Sequence, residues 1–599
     1  MCHLSLLFLW IFVPHQDAAT QACASDLRIS QLNQTTERLF DDPDRAAPNP
    51  LWRPAEPLNE IDDYVFATLE ANRIPINQLC DDATFLRRSS LVLTGRLPDP
   101  ELTRSFLASN SEDKRAILID TLLQSDGFNT HWAFWYQEMF ESTARILRVG
   151  RVLYNEYFDQ AVAENKPFDQ MAYELLTNLG ITDQVAEPNY YARAAEMSRL
   201  AQDFWDNSAV FTTEKFLGVR TECVSCHDGA YHLEDINLYL AERKREDLWG
   251  LAAFFAELNR RPATITGNLV LSIDIYKNPR AVEGYLADTD SGDRPERAGG
   301  LIEPVYMFDG RGVDANLGFL DSLATYVVSD RQFARNFANR LWAHAFGIGM
   351  VEPIDSFDLY RIDPTFELPD GWEYQSYDIA LLEHMADQVL AMGYDLRATL
   401  RYICNSATFQ MAAKFPTSWN ANYTPYYTRY MARRMTAEMV YDSLVQATGV
   451  AVTIRQQDRN TTPTNVTYAH ELDDLNQPTG RDDTQAAIRT FLDAFGRGNR
   501  FDVPRTEDGG IAQALQLMNS DVTLRRVNQG QGRLTNYLNA NMTISQIVDE
   551  LYLDFLCRRA TEEERQAMVT ELGSYGSITE QARTALWLMA NKLEFVHIY

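Results

Sequence analysis

Cysteine is scarce in this chain, with 7 residues in 599. Apart from Cys2, Cys23 and one close pair, the cysteines are Cys80, Cys404 and Cys557, an odd number at distant positions. Such spacing excludes the disulfide framework of a small secreted scaffold, and we expect at least one of these three residues to be a buried thiol.

Positive charge is also in short supply. The chain has 54 Lys and Arg against 84 Asp and Glu, a net charge of −30. This excess of acid repels nucleic acid and anionic lipid surfaces, so we expect no nucleic-acid partner. It is compatible with a basic redox partner protein, but solubility in a salty medium is the simpler explanation of the acidic charge.

Long hydrophobic runs are missing. The apolar run Leu4 to Val13 is too short to cross a bilayer, and no later stretch is long and apolar enough, so no transmembrane segment is predicted. The run and the small residues Ala18 and Ala22 fit a signal peptide over 1–22, although no Lys or Arg precedes it. The expected location is periplasmic or extracellular, with a lipid anchor on Cys23 as an alternative.

The feature that stands out is the pentapeptide Cys223-Val224-Ser225-Cys226-His227, the C-x-x-C-H signature of c-type haem attachment. Two residues between the thiols place both on one helical turn, within reach of the two haem vinyl groups. The adjoining imidazole can then bind the iron as proximal ligand. A random chain of this composition contains the motif on the order of once in a thousand cases. We therefore expect covalent haem c on Cys223 and Cys226, with iron on His227.

Two other uses of this motif remain open. Zinc could take both cysteines with His227 and His232, but structural zinc sites usually draw on a second, separate ligand pair, and the chain has no other C-x-x-C. A thioredoxin-like redox pair would follow a strand and open a helix, and the preceding Phe216 to Arg220 gives only weak support for a strand.

A distal haem ligand cannot be chosen from the sequence. The candidates on distant segments are Met197, His344, Met350, His384, Met385 and Met411, and for each of them core packing is the simpler explanation. His232 follows His227 too closely to reach the opposite face of the ring. No pair of carboxylates forms a convincing acid–base constellation.

The expected fold is mostly α: a multi-helical, multi-domain protein with a small β insert around 262–307, where Leu271, Ile273 and Ile275 alternate with polar residues. No repeat at a solenoid period is found. The predicted organisation is a signal peptide over 1–22, a proline-rich linker over 23–57, a helical cytochrome c-like domain over 58–261, the β insert over 262–307 and a second helical domain over 308–599.

Several segments together resemble one family. In the first half these are Leu93 to Pro98, Asn165 to Gln170, and Phe216 to Asp228, which contains the C-x-x-C-H-D run. In the second half they are Asn339-Arg340-Leu341-Trp342-Ala343-His344-Ala345-Phe346-Gly347-Ile348-Gly349, followed by Glu352 to Phe357, Asn405 to Phe409, Phe491 to Gly496 and Ala514 to Ser520. This ordered set is similar to the secreted bacterial proteins that pair a planctomycete-type cytochrome c-like domain with a planctomycete-specific C-terminal domain, both of unknown function.

The resemblance implies export and cytochrome c-like character, and covers roughly residues 60 to 599. One departure is clear. Where the family usually has H-P-F after C-H-D, this chain has Gly229-Ala230-Tyr231, followed by His232. If the family's extra histidine serves a metal, that role is lost here or has moved to His232.

The sequence therefore predicts an exported haem protein that transfers single electrons. An alternative is a haem-dependent oxidoreductase or saccharide-processing enzyme with a pocket around Arg340 and His344 in the C-terminal half. A further alternative is a cell-surface binding scaffold.

Overall fold

The structure is a computed structural model, and it describes residues 18–40, 53–143, 146–193, 200–267, 269–278, 284–456, 464–500, 503–506 and 509–599. The apolar run Leu4 to Val13 and the candidate ligand Met197 lie outside the described residues. No helix in the described part of the chain is long and apolar enough to cross a membrane.

The first half is built almost entirely from helices. They are α1 (Ala18–Phe40), α2 (Glu60–Ala71), α3 (Asp82–Thr94), α4 (Pro100–Ala108), α5 (Lys114–Leu123), α6 (Asp126–Met139), α7 (Arg148–Ala163), α8 (Phe168–Thr177), α9 (Asn189–Ala192), α10 (Ala201–Thr212), α11 (Glu222–Cys226), α12 (Leu238–Ala241) and α13 (Arg245–Ala252). A π-helical turn, Thr213–Leu217, continues α10 towards α11.

The second half is also helical. Its helices are α14 (Phe319–Ser329), α15 (Arg331–Phe346), α16 (Ile379–Ala391), α17 (Leu396–Cys404), α18 (Ala407–Gln410), α19 (Ala437–Thr448), α20 (Asp483–Ala494), α21 (Ile511–Asn519), α22 (Asp521–Asn528), α23 (Arg533–Asn539), α24 (Ile544–Leu556), α25 (Glu562–Leu572) and α26 (Ile578–Ala590). Short 3₁₀ helices are Ala253–Phe255, Ala421–Tyr426, Ala469–Glu471 and Leu593–Val596.

The β structure is minor and antiparallel. The strands are β1 (Gly180–Ile181), β2 (Leu258–Thr266), β3 (Leu269–Lys277), β4 (Tyr285–Leu286), β5 (Leu301–Ile302), β6 (Arg433–Arg434), β7 (Ile454–Gln456), β8 (Thr464–Val466) and β9 (His597–Ile598). Strand β3 lies between β1 and β2, and the other strands form the pairs β4–β5, β6–β9 and β7–β8. The mostly α fold and its small β component are confirmed, with the hairpin starting at Leu258, slightly before the expected 262.

Local signals in the sequence account for many of these boundaries. Thr561 and Glu564, spaced as in a capping box, form one at the start of α25, each side chain accepting from the other's backbone N–H. Thr436 caps α19, and Gly449 ends it in the left-handed conformation, which costs glycine little. Of the alternating apolar residues of β3, Ile273 and Ile275 are buried and Leu271 is half-buried, while the polar Ser272 between Leu271 and Ile273 is also buried.

Helix α1 occupies residues 23–40 of the segment expected to be linker. Arg28 Nε donates to the carbonyl oxygen of Gly347 at 2.7 Å, and Leu32 is buried. Asn33 accepts a hydrogen bond from the indole N–H of Trp419 at 2.7 Å. This part of the segment is a packed helix and not an extended linker, because its inner face has both apolar and hydrogen-bonding partners in the second half.

The two halves share one hydrophobic core. A continuous cluster of buried apolar side chains extends from Leu32 to Ile598 and includes Phe168 of α8 stacked on Phe337 of α15, with ring centroids 4.4 Å apart. The C-x-x-C-H segment lies at the edge of this core, after the π-helical turn.

Candidate functional site

A tight turn at Gly218 connects the π-helical turn to the C-x-x-C-H helix. Gly218 follows the π-helical turn with φ +66°, and a Cβ there would lie 2.6 Å from Oδ1 of Asn336 on α15. Its carbonyl oxygen accepts from the backbone N–H of Phe357 at 2.8 Å. Only glycine combines this conformation with this close approach, so α15 fixes the point from which α11 begins.

Helix α11 is short, and only one of its sides is buried. Val224 and Ser225 are buried, whereas Cys223, Cys226 and His227 are half-buried. The two residues between the cysteines therefore anchor the turn to the protein, and both thiols and the imidazole lie on its accessible side. This is the arrangement that the C-x-x-C-H spacing predicts.

Ser225 is the polar anchor of this turn. Its hydroxyl donates to the carbonyl oxygen of Glu222 at 2.6 Å and accepts from Nε of Arg294 at 2.8 Å. Its carbonyl oxygen accepts from Nε of Arg245 at 3.1 Å. Arg245 also donates to the carbonyl oxygens of Pro295 and Glu296, so α11, α13 and the loop between β4 and β5 are joined at one point.

Buried ion pairs hold that loop in place. Arg297 pairs with Asp203 and Asp206 of α10, the latter at 2.8 Å, and Arg294 lies 3.8 Å from Asp206. Burial raises the pKa of the Asp206 carboxyl, and the two guanidinium groups oppose that rise. The loop from Asp288 to Gly300 is exposed along most of its length, as its polar sequence indicates, but Arg294 and Arg297 turn inwards.

His227 is oriented by its own neighbour. The residue is extended, with φ −151° and ψ 164°, and Nδ1 lies 2.8 Å from the carbonyl oxygen of Asp228. A carbonyl can only accept, so Nδ1 carries the proton and Nε2 keeps its lone pair. The ring therefore presents a ligand nitrogen, and the chemistry of the set, two thiols one turn apart plus an imidazole, fits covalent haem attachment.

The residues after His227 form an exposed turn. The His232 ring centroid is 4.2 Å from that of His227, and Tyr231 is 94% exposed with φ +67°. The backbone of Gly229 lies against α12, where a Cβ would be 1.9 Å from the carbonyl oxygen of Leu240. The histidine of the H-P-F segment that follows C-H-D in the resembling family would not fit at position 229 in this packing. The His232 ring lies beside the His227 ring, on the same side of the turn.

The zinc interpretation finds no support in the geometry. Within the ranges that the structure describes, no three His, Cys, Asp or Glu side chains are arranged to hold a metal ion by themselves. This includes the set Cys223, Cys226, His227 and His232.

The other sequence candidates lie elsewhere in the fold. Met350, Met385 and Met411 are buried in the core, and His384 hydrogen-bonds to the Tyr402 hydroxyl at 2.8 Å. His344 contacts His131, with Nε2 atoms 3.2 Å apart. None of these contacts is with the C-x-x-C-H segment.

The N-R-x-W-x-H motif on α15 is largely structural. Asn339 donates to the carbonyl oxygen of Val351 at 2.8 Å and accepts from its N–H at 3.0 Å. Arg340 donates to the carbonyl oxygen of Glu214 in the π-helical turn at 2.9 Å, and burial lowers the pKa of its guanidinium. Trp342 stacks on Phe346. The expected pocket around Arg340 is therefore occupied by protein contacts.

Sequence reasoning missed a cluster of polar residues in the interior. His131, Asp442 and His470 join His344 in one hydrogen-bonded chain. The residues come from α6, α15, α19 and a 3₁₀ helix, and no spacing in the sequence links them. Only His344 belongs to a recognised motif.

Comparison with known proteins identifies both halves. Residues 60–260 match the family described as PSCyt2: Protein of unknown function (DUF1549), and residues 321–572 match PSD1: Protein of unknown function (DUF1553). No curated protein and no solved structure matches the chain. The C-x-x-C-H helix lies in the first region and the N-R-x-W-x-H helix in the second.

These matches define a helical protein built from two domains of unknown function. The chain thus matches a PSCyt2 domain followed by a PSD1 domain, the pairing that the sequence resemblance predicted. The name of the first domain is cytochrome-like, and neither description states an activity.

Proposed function

We propose that this protein carries one haem c, attached through Cys223 and Cys226 with His227 as axial iron ligand, and that it transfers single electrons outside the cytoplasm. The observation that carries the proposal is the orientation of His227. Its Nδ1 donates to the carbonyl oxygen of Asp228 at 2.8 Å, which leaves Nε2 as the ligand atom beside two half-buried thiols. A metal-binding histidine commonly has its other ring N–H held in this way.

Each residue of the segment has a separate task. The two cysteines would hold the group covalently, so it would not dissociate on reduction or oxidation. Val224 and Ser225 anchor the turn, and Arg294 and Arg245 fix Ser225 from two sides. When bound, the haem supplies a one-electron iron couple. Since the segment lies at the protein edge, with Tyr231 and His232 exposed beside it, a partner could approach closely.

The charge of the chain is consistent with transfer between proteins. A net charge of −30 favours approach of a basic partner at low ionic strength, and this steering weakens as salt is added. Transfer to or from a basic redox protein is therefore the interaction that we expect first. Its rate should fall as ionic strength rises.

The test is expression of the full chain in a bacterial host that attaches c-type haem in the periplasm. A denaturing gel stained for haem peroxidase activity should show a band at the mass of the protein. Replacing both cysteines, Cys223→Ala with Cys226→Ala, should abolish the band. Potentiometric titration should then show a reversible one-electron transition.

His227→Ala and His232→Ala form a matched pair of single variants. The first should lose the low-spin spectrum of the ligated iron, and the second should keep it, because the two rings are neighbours on one exposed turn. An unstained wild-type band with zinc found by elemental analysis would overturn the haem proposal. Haem that is present but turns over a substrate with multiple electrons would overturn simple electron transfer.

A further inference from the structure

Four side chains form a continuous hydrogen-bonded chain where the two matched domains meet. Oδ2 of Asp442 is 2.7 Å from Nδ1 of His470, and Nε2 of His470 is 3.2 Å from Nδ1 of His131. Nε2 of His131 is in turn 3.2 Å from Nε2 of His344. Every link is a contact between ring nitrogens, or between a ring nitrogen and a carboxylate.

The chain crosses from one domain to the other. His131 lies on α6 in the PSCyt2 region, whereas His344, Asp442 and His470 lie in the PSD1 region. Asp442, His131 and His470 are buried, the two histidines with only 4% and 6% exposure, and His344 is half-buried. The chain therefore has an outer end at His344 and an inner end at Asp442.

The surrounding packing holds the three histidine rings in contact with one another. A Cβ at Gly95 would lie 2.5 Å from Nδ1 of His131 and 2.8 Å from Cε1 of His470, so the left-handed glycine that ends α3 leaves just enough room for both rings. The Trp132 ring centroid is 4.5 Å from that of His344. These neighbours leave little freedom for the rings to rotate away from one another.

The carboxylate fixes the proton on every ring. Oδ1 of Asp442 accepts from the backbone N–H of Ala469, and a carboxylate at Asp442 offers only acceptors to His470. His470 must then carry its proton on Nδ1 and accept at Nε2. His131 must donate from Nδ1 and accept at Nε2, so the donor to that atom is Nε2–H of His344, which also lies 3.1 Å from the carbonyl oxygen of Val92.

We propose that His344, His131 and His470 form a proton relay that ends at the Asp442 carboxylate. A proton binds Nδ1 of His344, and the Nε2 proton of that ring moves to Nε2 of His131. The Nδ1 proton of His131 then moves to Nε2 of His470. One proton enters and one positive charge results, on the His470 ring beside the carboxylate, while His131 and His344 end neutral in the opposite tautomers.

The charges around the relay favour His470 as the end point. Burial lowers the pKa of His131 far below its usual range, and His470, His344, Arg433 and Arg96 lower it further. Burial and Arg433 lower the pKa of His344 to about 3. Both pKa shifts therefore disfavour a second proton on either ring.

His470 has the opposite surroundings. It pairs with Asp442, and Glu438 of the same helix interacts with it electrostatically. The carboxylate of Glu438 is paired with Arg505 at 2.7 Å, whereas the Asp442 carboxylate lies 2.7 Å from Nδ1 of His470 and faces that ring directly.

A polar cleft adjoins the end of the relay. It has a volume of about 230 Å³, and His470 forms part of its wall with Gln137, Asn155, Asp159 and Asp473. Oε1 of Gln137 is buried without a protein hydrogen-bond partner. A polar molecule bound in the cleft would therefore lie beside a ring whose charge the relay controls.

The test begins with the unaltered protein, labelled with ¹⁵N in its histidines. Ring nitrogen shifts at neutral pH should show Nδ1–H on His131 and on His470, and Nε2–H on His344. On acidification, the added proton should appear first on Nε2 of His470. Nε2–H on His131, or protonation of His131 before His470, would overturn the relay.

Transfer along the chain is tested with His344→Gln. The glutamine amide still donates to His131 and keeps the tautomers, but it cannot accept and pass on a proton. After a drop in pH, the rate at which Nε2 of His470 takes up a proton should fall by about tenfold or more. The matched control His384→Gln, at a histidine that contacts Tyr402 instead, should leave that rate unchanged.

An unchanged rate of proton uptake by His470 in a folded His344→Gln protein would overturn transfer through His131. Asp442→Asn provides a second, independent measurement, because it removes the charge at the end point. In this variant the added proton should no longer settle on His470 in preference to the other two rings. Unchanged preference for His470 would show that Asp442 does not stabilise the charged ring.

Discussion

Arg340 on α15 donates from Nη2 to the carbonyl oxygen of Glu214, 2.9 Å away in the π-helical turn that leads to the C-x-x-C-H helix. One hydrogen bond thus joins the N-R-x-W-x-H motif of the PSD1 domain to the π-helical turn that precedes the C-x-x-C-H helix of the PSCyt2 domain. The same guanidinium donates from Nε to Asn336 at 3.0 Å. The position of the proposed haem segment is therefore set partly by the second domain.

Arg340→Ala should destabilise the whole protein. It leaves the Glu214 carbonyl and the Asn336 amide without a buried charged donor, for which we expect a loss of about 2–4 kcal/mol in the free energy of unfolding. Urea denaturation followed by circular dichroism measures it. Arg335→Ala, which breaks a half-exposed pair with Glu383 on the same helix, is the control and should cost about 0–1 kcal/mol. Equal losses in the two variants would contradict the role assigned to Arg340.

Asp62→Ala, near the start of the PSCyt2 domain, should strongly lower the stability of the folded protein. The buried carboxylate accepts from the backbone N–H groups of Leu58, Ala407 and Thr408, and from the Thr408 hydroxyl. Removing it leaves these donors unpaired at the starts of α2 and α18, so we expect a loss of about 3–5 kcal/mol. The neighbouring Asp63 is exposed, and Asp63→Ala should change stability by no more than about 0.5 kcal/mol. Thermal unfolding of both variants decides between them.

Gly229→Ala should disturb the turn after His227. The new methyl group would meet the Leu240 carbonyl at 1.9 Å, so the backbone of α12 must shift, at a cost of about 1–3 kcal/mol. Limited proteolysis should reveal faster cleavage near residues 229–240. Gly530→Ala, where nothing lies within 4 Å of the added atom, should digest like the unaltered protein. Unchanged cleavage in Gly229→Ala would show that the turn adapts freely.

The Glu438–Arg505 pair should make stability depend on pH. Burial alone would raise the pKa of Glu438, but the charge of Arg505 and its hydrogen bond outweigh burial and lower the pKa to about 2, from 4.5. Because the folded pKa is the lower one, the stabilisation is complete above pH 4.5 and is lost as the pH falls towards 2.

Glu438→Gln therefore should cost on the order of 2–3 kcal/mol at pH 7, and this difference from the unaltered protein should shrink as the pH falls below the pKa of an unfolded glutamate. Urea denaturation at pH 7, 5 and 3.5 measures the difference. Glu563→Gln, at an exposed position on α25, should show no such trend. A difference that is the same at all three pH values would mean that packing, and not charge, is lost.

Features that depend on neighbouring residues could be read from the sequence. The C-x-x-C-H turn, the capping box at Thr561 and Glu564, and the Thr436 and Gly449 caps involve contacts over a few residues, so spacing alone defines them. The pairing of two domains was also visible, because ordered motifs survive as a linear pattern. The mostly α class follows from the same local periodicity.

Features that depend on distant residues were decided only by the tertiary structure. His131 and His470 are separated by 339 positions in the chain, and no local pattern predicts that their rings meet. The segment around His470 reads as a polar loop, and only its packing on α6 and α19 buries it beside Asp442. The sequence determined which side chains could bind haem or carry a proton, since that chemistry belongs to the residue. The fold alone decided their neighbours, because burial and hydrogen-bond partners arise when separate helices pack into one core.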